Sequence, residues 1–435
     1  MVKIEFSLLS LSHSTDMSFE ATKSIDEFVN NFQLIFAEEK DIDFENRKIH
    51  IKSPQQNTPI LRERVNEFIE NFKDLDIRIF KLRDYFKKLK EGEYFIIFNR
   101  ESMTTEQQNQ KIKSLISLKT GISVEEMQKQ MDEFFGELLK TYAIQPFDGK
   151  TKISIGEPIK SKRVCRFCNN NRENVSFKKK AHAISESLGN KKIILNEECD
   201  ECNIKFGLPP GIENSLITFL KFCSVFFGIK GSNGIPEIKG KNFGMSNKER
   251  IEIKYNNIDD DNDLVKEESF IKMKARLDTF DNIVMQGIYK TLCKYLLSVV
   301  DSSILPKFQN TIDWINGNVS ITKLPKVKVL SSYDSFNKHP SLVVYLRQDE
   351  NTVLPYAVGE LHYVFMTFVF IVPLTTSDDK DFTDRDDFDI YWNFFKHYSK
   401  KNGWIIWDFS DNIKQRASFN LSFNSKRSKD ESTNT

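Results

Sequence analysis

Cys165-Arg166-Phe167-Cys168 and Cys199-Asp200-Glu201-Cys202, with Lys180-Ala181-His182-Ala183-Ile184 between them, decide the reading of this chain. Two C-x-x-C pairs about thirty residues apart suit one tetrahedral zinc held by four thiolates, a closed site with no position left for water. Such a structural Zn2+ folds its segment and does not react. The lone histidine between the pairs is a different kind of group. An imidazole titrates near neutrality, so it suits a base.

At 435 residues the chain exceeds the size at which one hydrophobic core stops growing, so two or three domains are expected. Hydrophobic residues at 39% and 37 phenylalanines outweigh the 29% of charged residues and argue for a globular protein. A net charge of +1 means that binding to a polyanion must come from a local patch. Between Lys160 and Lys205 there are 11 Lys/Arg against 6 Asp/Glu, so the basic excess coincides with the cysteine pairs. The N-terminus lacks the charged-then-apolar pattern of a secretory leader, which leads to an expected cytoplasmic location. In that reducing setting paired cysteines favour metal over disulfide. The longest apolar run, residues 363–372, is too short for a membrane helix and rich in β-branched and aromatic types. It reads as a buried strand, and no membrane is expected as a partner.

The chain reads as α+β and multidomain. In region 1–154, of no assigned role, residues 2–8, 48–52, 77–82 and 94–98 read as strands. Leu61, Val65, Phe68, Ile69 and Phe72 recur at the helical period, and Ser123-Val124-Glu125-Glu126 caps a second helix whose Met and Phe stripe reads as core. Turn chemistry around Asp148-Gly149 and Gly156-Glu157-Pro158 sets a boundary before a metal module at 155–245. Region 246–421 is a second α+β part with a helix over 283–300 and aromatic-rich strands over 342–346 and 363–372. Residues 422–435 read as a disordered tail. Cys223 and Cys293 read as core. The acidic runs 259–263 and 378–381 read as solvated loops, and His13, His50, His339, His362 and His397 stand singly.

Residues 160–225 resemble the HNH (ββα-metal) endonucleases, in the zinc-stapled branch that includes phage junction-resolving nucleases and bacterial restriction or defence proteins. In that family a C-x-x-C leads to an acid-His pair, a Leu-Gly turn, an Asn, and a second C-x-x-C followed by His or Asn. Here the order is Cys165, Cys168, His182, Ser187-Leu188-Gly189-Asn190, Asn196, Cys199, Cys202, Asn203. The resemblance implies a central zinc-bound ββα module, with the helix carrying Ile212, Leu216, Phe219, Leu220 and Cys223 as its α. His182 would be the general base, Asn203 a ligand of a catalytic Mg2+ or Mn2+, and Asn196, with Asn190 competing, the residue that supports the loop. Arg163, Arg166, Lys178, Lys179, Lys180, Lys191 and Lys192 would contact phosphates. One departure matters: Ala181 stands where the family has an acid, with Glu186, Glu173 and Asp200 as local substitutes. The expectation is a metal-dependent endonuclease of anti-phage defence or restriction, acting on nucleic acid, with DNA ahead of RNA. The alternative is a catalytically degenerate module that binds nucleic acid, or a protein partner through the flanking regions.

Overall fold

The computed structural model describes residues 2–21, 25–43, 46, 48–49, 51, 53–75, 77–98, 105–241, 243–255, 264–267 and 270–426. It is a mixed α/β chain of several sheets that divides into two compact units, Met1–Glu133 and Phe134–Thr435. No helix among the described residues is long and apolar enough to cross a membrane. His50 and the acidic run 259–263 lie outside the described residues.

In the first unit a four-stranded sheet runs in the order Ser14–Ala21, Val2–Ser10, Tyr94–Phe98, Gln55–Gln56. Helix Pro59–Phe72 starts where its sequence says it should. The Thr58 hydroxyl accepts the Leu61 N–H at 3.2 Å, proline takes the first turn, and Leu61, Val65, Phe68, Ile69 and Phe72 are buried together. The segment 77–82 is not a strand. It is a short 3-10 turn, Ile77–Ile79, followed by helix Phe80–Lys88, because Leu82, Tyr85 and Phe86 reach the phenylalanine-rich core only at helical spacing.

The second unit is built on a six-stranded antiparallel sheet, ordered Ile405–Trp407, Val327–Ser331, Met366–Ile371, Ala357–Val364, Asn337–Arg347, Tyr142–Phe147. Both of its faces are covered. Phe368 and Phe370 join a core with helix Met285–Val299 and the cysteine segment, while Val369 and Ile371 join another with Phe388, Tyr391 and Trp392. A sheet covered on both sides has no solvated face, which explains why the run over 363–372 is apolar at every position but Thr367. That run is nevertheless not one strand. Tyr363 pairs with Met366 across a tight hairpin, and Val364 sits at its tip with φ 58°, a conformation a β-branched residue holds only because the buried surroundings fix it.

Helix Met285–Val299 is the centre of this unit, buried at every position but Met285 and Lys290. A helix covered on nearly every side belongs inside a core. Its Tyr289 hydroxyl donates to the Ile371 carbonyl at 2.7 Å, tying helix to sheet. The boundaries expected near residues 154 and 245 fall inside this unit: Cys165, Cys199, Leu292, Phe368 and Phe409 share one core. Cys223 and Cys293 are buried in it too. Part of the segment expected to be a disordered tail is a strand. Strand Lys414–Lys426 pairs with Phe270–Val284, Lys426 lying opposite Phe270, so residues 422–426 are in a ladder and only 427–435 lie outside the described residues. Asp378 is not solvated: it is buried and accepts from Arg347 Nη1 at 3.0 Å and from the Tyr356 N–H at 2.8 Å.

Candidate metal centre and its basic surface

The four cysteine sulfurs lie within 4.8 Å of one another, and they are the only group of three or more His, Cys, Asp or Glu among the described residues that could hold a metal ion. Each pair is positioned by its own backbone. The first sits on a small hairpin closed by a bridge between Val164 and Asn171, in which Asn169 takes a left-handed φ of 56°. In the second, Cys199 caps helix Asp200–Gly207, its sulfur accepting the Cys202 N–H at 3.4 Å, while Cys165 Sγ accepts the Cys199 N–H at 3.4 Å. Cys168 and Cys199 sulfurs are 3.8 Å apart. Sulfurs about 2.3 Å from a tetrahedral zinc would stand about 3.8 Å from each other, so the cluster fits a structural metal such as zinc. The Cys202 thiol and then, against its burial, amide N–H groups lower the pKa of the Cys165 thiol, the Cys199 amide foremost among them, and a lowered pKa favours the thiolate that a metal binds.

Strand Ala181–His182 runs antiparallel to Ile193–Leu195, which pairs on its other side in parallel with Ile153–Ile155. The order is strand, strand, helix, with the helix starting inside the second cysteine pair. The helix that directly follows these strands is Asp200–Gly207, not the one expected to carry Ile212, Leu216, Phe219, Leu220 and Cys223. Ile212, Leu216 and Phe219 belong to a separate helix, Ile212–Phe219, beyond the break at Pro209 and Pro210. His182 is half-buried, its Nδ1 3.9 Å from Glu186 Oε2. Burial lowers its pKa, so the ring is neutral at pH 7. Ala181 is buried opposite Leu195, and strand alternation puts it on the other face from His182. Of the substitute acids, Asp200 is engaged by the N–H groups of Lys178 at 3.0 Å and Lys179 at 2.8 Å, Glu173 is exposed, and Glu186 approaches the histidine.

The loop between the two strands is braced by Asn190. Fully buried, it donates to the carbonyls of Ile184 at 2.7 Å and Ile193 at 3.0 Å and accepts from the N–H groups of Lys192 and Ile193, both at 3.0 Å. Gly189 before it has φ 84°, the left-handed conformation glycine adopts without cost. Asn196 instead ties the neighbouring strand, donating to Ser154 Oγ at 3.0 Å and the Gly156 carbonyl at 3.3 Å. Asn203 is partly exposed on helix Asp200–Gly207.

Lys178, Lys179, Lys180, Lys191 and Lys192 are exposed, and the Asp200 carboxylate fixes the backbone of the first run. Arg163 is half-buried, its guanidinium donating to the carbonyls of Glu157 at 2.9 Å and Pro158 at 3.0 Å. Arg166 departs from expectation. It is 3% exposed and donates to the carbonyls of Leu297 and Val300 and to Glu197, so it faces the core and no phosphate can reach it.

No family model, no curated protein and no solved structure matches this chain. The HNH resemblance therefore rests on the sequence motif alone.

Two buried networks escaped the sequence reading. Lys294, on the central helix, pairs with Glu198 at 2.9 Å and Glu213 at 2.8 Å, all three buried, and its Nζ lies 5.6 Å from the Phe167 ring centre. Burial pushes Glu198 up to about 7, while the two carboxylates hold desolvated Lys294 in its charged form. On the sheet, Glu360 accepts from His362 Nε2 at 2.6 Å, from Tyr345 at 2.8 Å and from Tyr398, and His362 Nδ1 lies 3.0 Å from the Thr367 hydroxyl. Glu360-x-His362 is the spacing that puts two side chains on one face of a strand. That was the available signal.

Proposed function

We propose that residues 160–207 form a zinc-stapled ββα unit of the HNH kind, and that the chain is a metal-dependent endonuclease hydrolysing phosphodiester bonds, DNA ahead of RNA. What carries the reading is His182, a neutral, half-buried imidazole on a two-stranded hairpin that leads into the cysteine-capped helix, with the Glu186 carboxylate 3.9 Å away. In this reading His182 takes the proton of a water attacking phosphorus, and Glu186 balances the imidazolium that results. Glu186 and Asn203 would be the oxygen donors for a Mg2+ or Mn2+, which would supply charge stabilisation at the phosphate. The described residues offer no further ligand group beyond the cysteines, so this cation would be bound together with the substrate. A role in anti-phage defence or restriction follows from the motif likeness.

A second reading, a catalytically degenerate module that binds nucleic acid or a protein partner, is favoured by one observation. The position preceding the base is a buried alanine. Plasmid and end-labelled duplex incubated with Mg2+ or Mn2+ separate the two. The nuclease reading expects cutting by the wild type and a loss of about 100-fold or more in His182→Ala. Equal cutting by His182→Ala sinks it, and salt-sensitive binding without cutting establishes the second reading.

A further inference from the structure

We propose that the surface adjoining the His182 loop binds unpaired nucleic acid, stacking bases on a row of exposed aromatic rings fringed by lysines. The inference rests on the nucleic-acid reading above and names the form of its substrate. Tyr333 and Phe336, on the turn between strands Val327–Ser331 and Asn337–Arg347, are 76% and 42% exposed. Behind them stands Phe365, at the tip of the next hairpin, 5.1 Å from the Tyr333 ring and 5.5 Å from Phe227. Phe227 in turn lies 5.3 Å from Phe336 and 5.0 Å from Phe226, itself 42% exposed. The inner rings are partly buried and hold the outer ones in place, so the row is a fixed platform whose outer faces meet water.

Charge selects the occupant. The turn 331–340 carries Lys338 against Asp334, the loop 227–236 carries Lys230 as its one charged residue, and Lys191 and Lys192 lie on the His182 loop; all four lysines are exposed. These segments converge. A Cβ on Gly189 would stand 2.9 Å from Ile229 Cγ2, 3.7 Å from the Lys338 carbonyl and 4.0 Å from the Lys230 carbonyl, and one on Gly231 would stand 3.0 Å from Ser187 Cα. The lysine-bearing loops therefore abut the turn that follows Glu186, the partner of His182. Lysine is depleted from the centres of protein–protein contacts, whereas rings interleaved with lysines are what single strands require. A duplex hides its base faces in its own stack. An unpaired strand offers them.

Fluorescence anisotropy on the full chain, without added divalent cation, tests this with a labelled single strand, a forked duplex and a blunt duplex of the same sequence. Single strand and fork are expected to bind at least about tenfold tighter than the blunt duplex. Tyr333→Ala and Phe336→Ala each weaken single-strand binding about tenfold, leave duplex binding and melting temperature unchanged, and Tyr333→Phe keeps the wild-type affinity. Lys230→Glu with Lys338→Glu lowers affinity and flattens its salt dependence. Equal affinity for duplex and single strand, or ring variants that bind like the wild type, overturns the proposal and leaves the rings to a protein partner. If His182-dependent cutting accompanies that outcome, only the stacking proposal falls. If ring-dependent binding occurs without cutting, only the hydrolytic reading falls. No binding to any of the three overturns the stacking proposal, and the hydrolytic reading falls with it only if the wild type also fails to cut in Mg2+ or Mn2+.

Discussion

Arg166 sits inside the first C-x-x-C, where charge counting makes it a phosphate contact, yet its guanidinium donates to Leu297 O at 2.7 Å and Val300 O at 3.1 Å at the end of the central helix. Those carbonyls have no partner within the helix, and a cation there also complements the helix dipole. Glu197 at 2.6 Å balances the charge. A single residue thus joins the metal segment to the core helix. His397 makes a sharper prediction. Both its ring nitrogens are buried without a hydrogen-bond partner, its ring lies 3.8 Å from that of Tyr398, and burial pushes its pKa down to about 4 from 6.5. Between those values the unfolded chain binds more protons, so stability falls as pH drops from about 6.5 to about 4 and levels off below. The group contributes a loss of about 2 kcal/mol between pH 7 and pH 5. His397→Phe, which keeps the ring stack, is expected to remove that part of the pH dependence in denaturant titrations; identical losses in variant and wild type would refute it.

At the scale of elements, helix Met285–Val299 is recognisable from its period, and its buried lysine is not. Lys294 is tolerable inside because Glu198, from the segment just before Cys199, and Glu213, from helix Ile212–Phe219, meet it there. Lys294→Met leaves two buried carboxylates facing each other and is expected to cost about 3 to 5 kcal/mol. Adding Glu198→Gln and Glu213→Gln should recover most of it, since the uncompensated charge is then gone. Urea unfolding of the single and triple variants measures both, and a neutral Lys294→Met would show that the triad does not hold the element. Helix Val124–Thr141 teaches the converse. It starts at the capping signature, Ser123 Oγ accepting the Glu126 N–H at 3.0 Å, but buries only Leu138 and Thr141 among its residues, with Met131 and Leu139 exposed. A periodic stripe marks a face and does not say what covers it.

At the scale of the whole molecule, the metal cluster is part of a core and not a detachable module. Phe167, Leu195 and Phe206 from the cysteine segment pack in one cluster with Leu296, Trp314 and Phe370. Removing the metal should therefore loosen the entire second unit. All four tryptophans, Trp314, Trp392, Trp404 and Trp407, lie in that unit, so their fluorescence reports it alone. Chelation is expected to red-shift their emission and lower the tryptophan-monitored melting temperature, while the helical signal of the first unit persists. Metal loss with an unchanged tryptophan signal would show that the cluster does not staple the core.

The sequence by itself determined whatever depends on neighbours along the chain. The cysteine spacing, the helical periods of residues 61–72 and 283–300 and the cap at Ser123 are short-range patterns, and each appears where the pattern puts it. Tertiary structure alone decided which surfaces are covered. It turned Arg166 inward, folded residues 363–372 into a hairpin with Val364 at its tip, gave the loop-bracing place to Asn190, brought Glu186 to His182, and fused the metal segment with a helix a hundred residues further on. Burial is set by contacts between distant segments. A local pattern carries the propensity for an element and no record of its partner.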